Sequence, residues 1–505
     1  MGSRTIALGV DGAVYDRLDE WLAAGELPNF VAVADEGLDW TLETTIPTRS
    51  IPAWPSFNAG TNLGAHGLLD FNCDLGTEGE TLVDQTNLRS ARFWDVLAEA
   101  GVPPIILGGL LTYPPRDVAG GIEVSGPMTP DSAEVFTTPA AVSERIRELV
   151  PGYEFGPSLA GSRDAVRDAC LEAVEQRSTV ALDLMAGHDW QFFFGLFIAT
   201  DRAQHKLWDT PEEILPVYQA IDDFIGEVRE RYPDANIVLF SDHGFTAPPE
   251  RDFFLNAWLS SRTDADADGP APSLKYSIAK WGYSTVRRSL GINFRDLAPD
   301  RLEAWVTDSG DESQPPIRAA TRNIDGIHVD VPESEAVIED LITELRALTD
   351  PATGTQVFQG VYRCEDLYQG PYVADLPEII LLPNPNYNVN TNPNYQAFGT
   401  FPGSENEGMH DAAREGILMM AGPDVTNDAE RRTASLLDLP PTLLHLCDAP
   451  VPTNYDGTVL DDALTGSAAQ RAVATRDPIR PGPETVAATG DRSDVEDRLA
   501  DLGYL

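Results

Sequence analysis

Short, unbroken apolar runs alternate with longer amphipathic stretches along this chain, and that alternation limits its fold more than any other feature. The runs are Thr5 to Val10, Pro104 to Leu107, Gln191 to Ile198, Asn236 to Phe240, Glu378 to Leu382 and Gly416 to Met420. Between them lie helix-like segments: Arg92 to Ala100, Ser162 to Met185, Pro211 to Glu230, Ser334 to Leu348 and Ala434 to Leu446. Strand and helix in turn predict an α/β fold, with a mainly parallel central sheet flanked by helices. Such open sheets place their ligands outside the carboxyl ends of the strands, so the residues that follow each run are the ones to examine.

From about residue 252 the alternation gives way to loops rich in Pro, Asn, Asp and Gly, including Asp264 to Asp268 and Pro383 to Phe401. This divides the chain into an α/β core (1–251 and 407–465), an inserted cap (252–406) and a C-terminal arm (466–505). The run Glu378 to Leu382 fits either core or cap. The arm ends in a short helix-like piece, Asp494 to Leu502.

Composition sets the environment. The formal net charge is −46, and of 35 basic residues only Lys206, Lys275 and Lys280 are lysines. Self-repulsion of that size opposes a compact fold in dilute buffer, whereas at about 1 M salt the Debye length falls to about 3 Å and screens it. A halophilic, archaeal source with a salty cytoplasm is therefore expected, and a basic nucleic-acid surface is not. Cys73, Cys170, Cys364 and Cys447 are far apart and read as buried thiols rather than a zinc ribbon or a disulfide framework. The apolar runs Ile6 to Val10 and Phe192 to Ala199 are too short for a signal or a membrane span, so a soluble cytoplasmic protein is expected.

Seven histidines leave little room for accident. Asp11 closes the first run, Asp242 and His243 close the fourth, Asp201 and His205 follow the third at helical spacing, and His410 precedes the last. Three Asp and three His at one sheet edge need a cation to be tolerated together. They match the demand of two closely spaced divalent ions with open positions, and mixed N and O donors suit Zn²⁺, with Mn²⁺ or Fe as alternatives. His66, His188, His328 and His445 lack such surroundings and read as structural. A nucleophile candidate is Ser50, ahead of a Pro-containing helical turn where free N–H groups favour an anion, with Thr48 and Ser56 as competing hydroxyls.

In order and spacing, these motifs resemble the alkaline phosphatase superfamily. They are Gly9-Val-Asp11-Gly, Ser50-Ile-Pro-Ala-Trp54, Asn58-Ala-Gly-Thr-Asn-Leu-Gly-Ala-His66-Gly, Thr200-Asp201 with His205, Ser241-Asp242-His243-Gly-Phe245 and Gly408-Met-His410. More narrowly the chain is similar to the type I phosphodiesterase and nucleotide pyrophosphatase branch, which includes predicted phosphohydrolases and phosphomutases. The resemblance implies that Asp201, His205 and His410 hold one metal and that Asp11, Asp242 and His243 hold the other together with Ser50. It further implies in-line attack by metal-activated Ser50, a phosphoseryl intermediate and hydrolysis by water. The expected substrate is a small phosphate diester or pyrophosphate. Phosphomutase, phosphomonoesterase or phosphotransferase chemistry is the alternative on the same scaffold, and a metal-stabilised binding protein is the alternative of another class. Arg49, Asn72 and Arg202 are the candidate substrate contacts.

Two departures qualify the resemblance. Nucleotide pyrophosphatases use a Thr nucleophile and an Asn further along to contact a nonbridging oxygen; here Ser50 stands for Thr, and the counted position is Phe71, with Asn72 beside it. Sulfatases of the superfamily need Arg four residues after the modified residue, where this chain has Trp54, which argues against that chemistry.

Overall fold

The computed structural model of the chain describes residues 3–73, 81–263, 317–320, 325–331, 334–392, 394, 396–403 and 407–480, with residue 495. The side chains of Asn72, Cys73 and Thr81, the acidic Asp264 to Asp268, Lys275, Lys280 and nearly all of the terminal helix-like piece lie outside the described residues. The chain divides into two compact units: Met1–Pro248 with Cys364–Leu376 and Gly403–Leu505, and Pro249–Arg363 with Pro377–Pro402.

Nine strands form the large sheet of the first unit: β1 (Thr5–Val10), β2 (Leu38–Glu43), β3 (Pro104–Gly109), β4 (Ile122–Ser125), β5 (Thr137–Thr138), β6 (Phe192–Phe197), β7 (Asn236–Phe240), β8 (Glu415–Ala421) and β9 (Thr433–Ser435). Their order is β9-β2-β8-β7-β1-β6-β3-β4-β5. Only β8 and β5 run against the others, so the sheet is mixed and mostly parallel, as the alternation predicts.

The unbroken apolar runs follow from burial on both faces. Side chains alternate across a strand, so Ala7, Phe192, Phe194, Val238, Phe240, Leu418 and Met420 enter one core. Ile6, Leu8, Phe193, Ile237, Leu239, Ile417 and Met419 enter the other. The first core is closed by helices α3 (Ser50–Ala59), α4 (Phe93–Glu99) and α8 (Leu439–Leu446). The second is closed by α1 (Tyr15–Ala24), α2 (Pro28–Glu36), α5 (Arg163–Gly187), α6 (Ala199–Leu207) and α7 (Pro211–Arg231). Helix starts obey local chemistry: the Ser162 side chain accepts from Ala165 N–H at the start of α5, and Pro211 opens α7.

One predicted helix is shorter than expected. Residues 433–435 pair as β9 with Thr41–Glu43, Ser435 then caps a 3₁₀ turn at Leu436–Asp438, and α8 begins only at Leu439. The sheet claims the backbone that the amphipathic pattern assigned to a helix.

The second unit is not merely loops. Arg251–Phe254 pairs with Tyr387–Asn390 and Phe398–Thr400. A four-stranded antiparallel sheet joins Ile317–Ala319, Gly326–Val329, Ile379–Pro383 and Phe358–Arg363. The strand left open between core and cap thus pairs within this unit, whereas Cys364–Leu376 belongs to the first unit. Helix Ser334–Arg346 buries Ile338, Leu341, Ile342 and Leu345, one stripe at helical spacing. In the arm, Thr475–Arg476 pairs with Val451–Pro452. Cys170, Cys364 and Cys447 are buried free thiols. Among the described residues no helix is long and apolar enough to cross a membrane.

Candidate active site

The carboxyl edge of the parallel strands gathers the predicted residues. Asp11 follows β1, Asp242 and His243 follow β7, and Asp201 and His205 occupy α6 just after β6. Because β8 is antiparallel, it starts at the edge where the others end, which brings in His410 from the segment before it. Ser50 arrives at the same edge on the connection leaving β2, at the start of α3. Ile51 is non-helical (φ −110°, ψ 117°), so Ser50 stands ahead of the regular helix.

Two constrained glycines shape this edge. Gly12 has φ +67°, a left-handed turn directly after Asp11, and its N–H donates to Asp242 Oδ1 at 3.4 Å. A Cβ on Gly244 would lie 2.2 Å from the Glu415 carbonyl oxygen, so only glycine lets β8 pass this close behind His243.

The three imidazoles share one arrangement. Nδ1 of His205 lies 3.1 Å from the Gly408 carbonyl, Nδ1 of His243 lies 2.9 Å from the Gly244 carbonyl, and Nδ1 of His410 lies 3.1 Å from the Thr48 carbonyl. A carbonyl only accepts, so each Nδ1 carries a proton and Nε2 is the nitrogen left for a ligand. His205 Nε2 is 3.4 Å from Asp201 Oδ1, and His243 Nε2 is 3.3 Å from Asp242 Oδ2 and 3.7 Å from Asp11 Oδ1. Imidazole nitrogens and carboxylate oxygens thus converge at one place, an arrangement that suits a cation.

Burial sharpens this need. Asp11, Asp201, Asp242 and His243 are each at most 3% exposed. Asp11 Oδ1, both oxygens of Asp201 and Asp242 Oδ2 are buried without a hydrogen-bond partner. Burial, then the charges of Asp242 and Asp201, pushes the Asp11 carboxyl well above its ordinary value. Burial, with Asp201 close by, pushes Asp242 up to about 8. His410 is lowered to about 3, first by burial and then by His243 and His205, and is thus a neutral imidazole. Ligand atoms of Asp201, His205 and His410 lie within 4.8 Å of one another, as do those of Asp11, Asp201 and His243. This donor set of orphaned carboxylate oxygens and imidazole nitrogens fits divalent ions.

Ser50 Oγ, 2% exposed, lies 3.3 Å from His243 Nε2. Its competitors are engaged elsewhere. Thr48 Oγ1 donates to the His410 carbonyl at 2.8 Å. Ser56 Oγ is 2.9 Å from His66 Nε2, and His66 Nδ1 accepts from Leu68 N–H, so the imidazole donates to Ser56. His66 is completely buried, and burial lowers it to about 3. His188 and His445 bond the carbonyls of Leu184 and Ala468, while His328 lies 3.7 Å from Glu378.

The candidate substrate contacts fare differently. Arg49 is partly exposed beside Ser50, its Nε 3.0 Å from Asp411 Oδ1. Burial opposes ionisation of Asp411, but Arg49 and the neighbouring imidazoles hold its carboxyl below the ordinary value. Arg202 is 1% exposed and lies 3.7 Å from Asp201 Oδ2. Being on α6 directly after Asp201, it turns inward as a buried counter-charge. The Asn72 side chain lies outside the described residues.

Several supports escape the sequence pattern. Thr200 Oγ1 donates to the Asp11 carbonyl at 2.6 Å, and Gln204 Nε2 donates to the Gly12 carbonyl at 2.9 Å. Trp54 Nε1–H donates to Asp11 Oδ2 at 3.2 Å. The Phe245 ring packs edge-on against His205 and His410. Trp54, Thr200 and Phe245 stand inside the motifs that carry the resemblance, but nothing in those motifs assigns them these contacts.

Comparison with known proteins agrees with this geometry. The family described as type I phosphodiesterase / nucleotide pyrophosphatase matches residues 5–413. No curated protein matches the chain. Among solved structures, phosphonoacetate hydrolase from Sinorhizobium meliloti 1021 in complex with phosphonoacetate is similar at 16% identity and a TM-score of 0.54, covering 88% of this chain and 95% of its own. Wild-type alkaline phosphatase PafA is similar at 13% identity and a TM-score of 0.55, covering 92% of this chain and all of its own. At these identities the likeness is one of fold.

Proposed function

The chain belongs to the type I phosphodiesterase / nucleotide pyrophosphatase family, and from that premise we propose that it hydrolyses small phosphate diesters or pyrophosphates through a phosphoseryl intermediate on Ser50. It is a metal-dependent phosphoric-ester hydrolase. The finer reading assigns one divalent ion to Asp201, His205 and His410 and a second to Asp11, Asp242 and His243 with Ser50, Zn²⁺ being the first choice and Mn²⁺ or Fe compatible with the same donors. Bound there, such ions would supply the positive charge that favours ionised oxygen at the reacting centre.

The observation that carries this reading is the placement of Ser50. It is the hydroxyl that faces the carboxylate and imidazole cluster, while Thr48 and Ser56 are engaged in other hydrogen bonds. Ser50 Oγ attacks phosphorus in line; the new Oγ–P bond forms as the ester or anhydride P–O bond opposite breaks. Water then attacks the phosphoryl group on Ser50, which keeps the substrate's remaining substituent, from the vacated side; the Oγ–P bond breaks, and Ser50 regains its proton. One water is consumed, and a phosphomonoester and an alcohol, or two phosphates, are released. Arg49 beside Ser50 is suited to orient a nonbridging oxygen, its guanidinium held by Asp411. A cytoplasmic location in a salt-rich cell accords with the acidic, lysine-poor composition.

The test is turnover of bis-p-nitrophenyl phosphate and p-nitrophenyl phosphate in molar KCl, with and without chelator, for wild type and Ser50→Ala. We expect chelator-sensitive diester turnover that falls by about 10³-fold or more in the variant, with metal content retained. Acid-quenched wild type carries the p-nitrophenylphosphoryl group of the diester on the Ser50 peptide. A preference for the monoester moves the assignment to a phosphatase or mutase, and full turnover by Ser50→Ala removes Ser50 as nucleophile.

A further inference from the structure

We propose that Trp54 is a positioning residue that fixes the Asp11 carboxylate for metal binding; this rests on the metal-site reading above. Trp54 lies four residues after Ser50 on α3, with a side chain that is completely buried. Its ring sits among Phe57, Phe194 and Phe240, at centroid distances of 5.7, 6.0 and 5.7 Å. An apolar pocket of this kind accounts for the ring but not for the indole N–H, which must find a partner when buried. The partner is Asp11 Oδ2, at 3.2 Å.

The consequence is a division of labour between the two Asp11 oxygens. Oδ2 accepts from the indole, while Oδ1 is buried without a hydrogen-bond partner and lies 3.7 Å from His243 Nε2. The donor is rigid, held by three aromatic contacts, so it sets the carboxylate plane and leaves Oδ1 for the ion. Groups that orient a metal-binding carboxylate in this way are as much part of a metal site as the ligands themselves.

The surrounding sequence accommodates this contact. A Cβ on Gly9, two residues before Asp11, would come within 2.7 Å of the outer edge of the Trp54 ring. The strand that delivers Asp11 is thus pared down where the indole passes. Trp54 links the helix that begins at the nucleophile to the first metal-binding carboxylate, so one side chain couples the placement of both.

Two replacements separate the hydrogen bond from the packing. Trp54→Phe removes the N–H and part of the ring. Benzothienylalanine at position 54 keeps the shape and has sulfur in place of the N–H. Zn²⁺ binding to the metal-stripped full chain is measured by chelator competition, which requires no turnover. Both replacements are expected to weaken one of two binding steps by about 10- to 100-fold and leave the other within a few-fold, because the indole N–H donates to Asp11 and not to Asp201, His205 or His410. Wild-type Zn²⁺ affinities in the benzothienylalanine protein would overturn the proposal, even if Trp54→Phe weakened both steps through lost packing. A wild-type chain that takes up no Zn²⁺ would instead overturn the metal reading beneath it.

Discussion

Arg92, Asp95, Arg116 and Glu123 form one buried charged cluster in the first unit, and Asp11, Asp201, Asp242 and Arg202 form another. In the first, the Arg92 guanidinium meets both carboxylates, while the Arg116 guanidinium donates to the Gln85 carbonyl at 3.2 Å and leaves Nη1 without a partner. Arg92 donates to both Asp95 oxygens at 2.7 and 3.1 Å, to Gln85 Oε1 at 2.9 Å and to Glu123 Oε2. Glu123 Oε1 also accepts from Arg116 N–H and from Gln85 Nε2, and its Oε2 from Trp94 Nε1. In the second, three carboxylates face one guanidinium, and four carboxylate oxygens have no hydrogen-bond partner. Equal burial therefore gives opposite outcomes: a network that holds a loop to the sheet, and an unbalanced one whose orphaned oxygens we assign to cations.

The largest effect expected from breaking this comparison lies in the first network. Arg92→Met leaves Asp95 and Glu123 buried without their guanidinium and should cost about 3–5 kcal/mol in denaturant unfolding, with turnover per folded molecule unchanged. A loss under about 1 kcal/mol, the scale of a surface pair, would mean that this cluster is not the structural one. A smaller effect of the other sign is expected in the second network. Asp242→Asn removes a buried carboxylate and supplies an amide N–H to its neighbours, so in chelator at about pH 8 it should stabilise the chain by about 1–3 kcal/mol while weakening Zn²⁺ uptake. Destabilisation of the metal-free variant would place Asp242 with the structural charges instead.

What was legible in the sequence follows the range of each interaction. The apolar runs of β1, β6, β7 and β8 announce themselves because both faces are covered, and the Asp and His that end them were found by that rule alone. β2 did not: its Leu38, Trp40 and Leu42 alternate with Asp39, Thr41 and Glu43, a half-buried pattern that reads weakly in six residues. Nor does a sequence show that β8 runs backwards, which is what carries His410 to the site. Arg202 adjoins Asp201 in sequence, yet no local pattern shows that its guanidinium is buried 3.7 Å from that carboxylate. The pairings of Trp54 with Asp11 and of Arg49 with Asp411 span 43 and 362 residues, and no local pattern encodes them.

The most direct test of the unbalanced cluster is thermal unfolding of the metal-stripped chain across about pH 5 to 9, with and without Zn²⁺. Asp242 has an ordinary value of 3.8 and is held at about 8 in the fold, so the folded chain keeps a proton that the unfolded chain has released. Its contribution to stability is complete below about pH 4 and is lost as pH rises towards about 8. Zn²⁺ replaces that proton, and its stabilisation should grow over the same window. We expect the melting temperature of the stripped chain to fall with rising pH and Zn²⁺ to restore it, most strongly at the alkaline end. A melting temperature indifferent to Zn²⁺ at every pH would contradict the assignment of these carboxylates and imidazoles to metal.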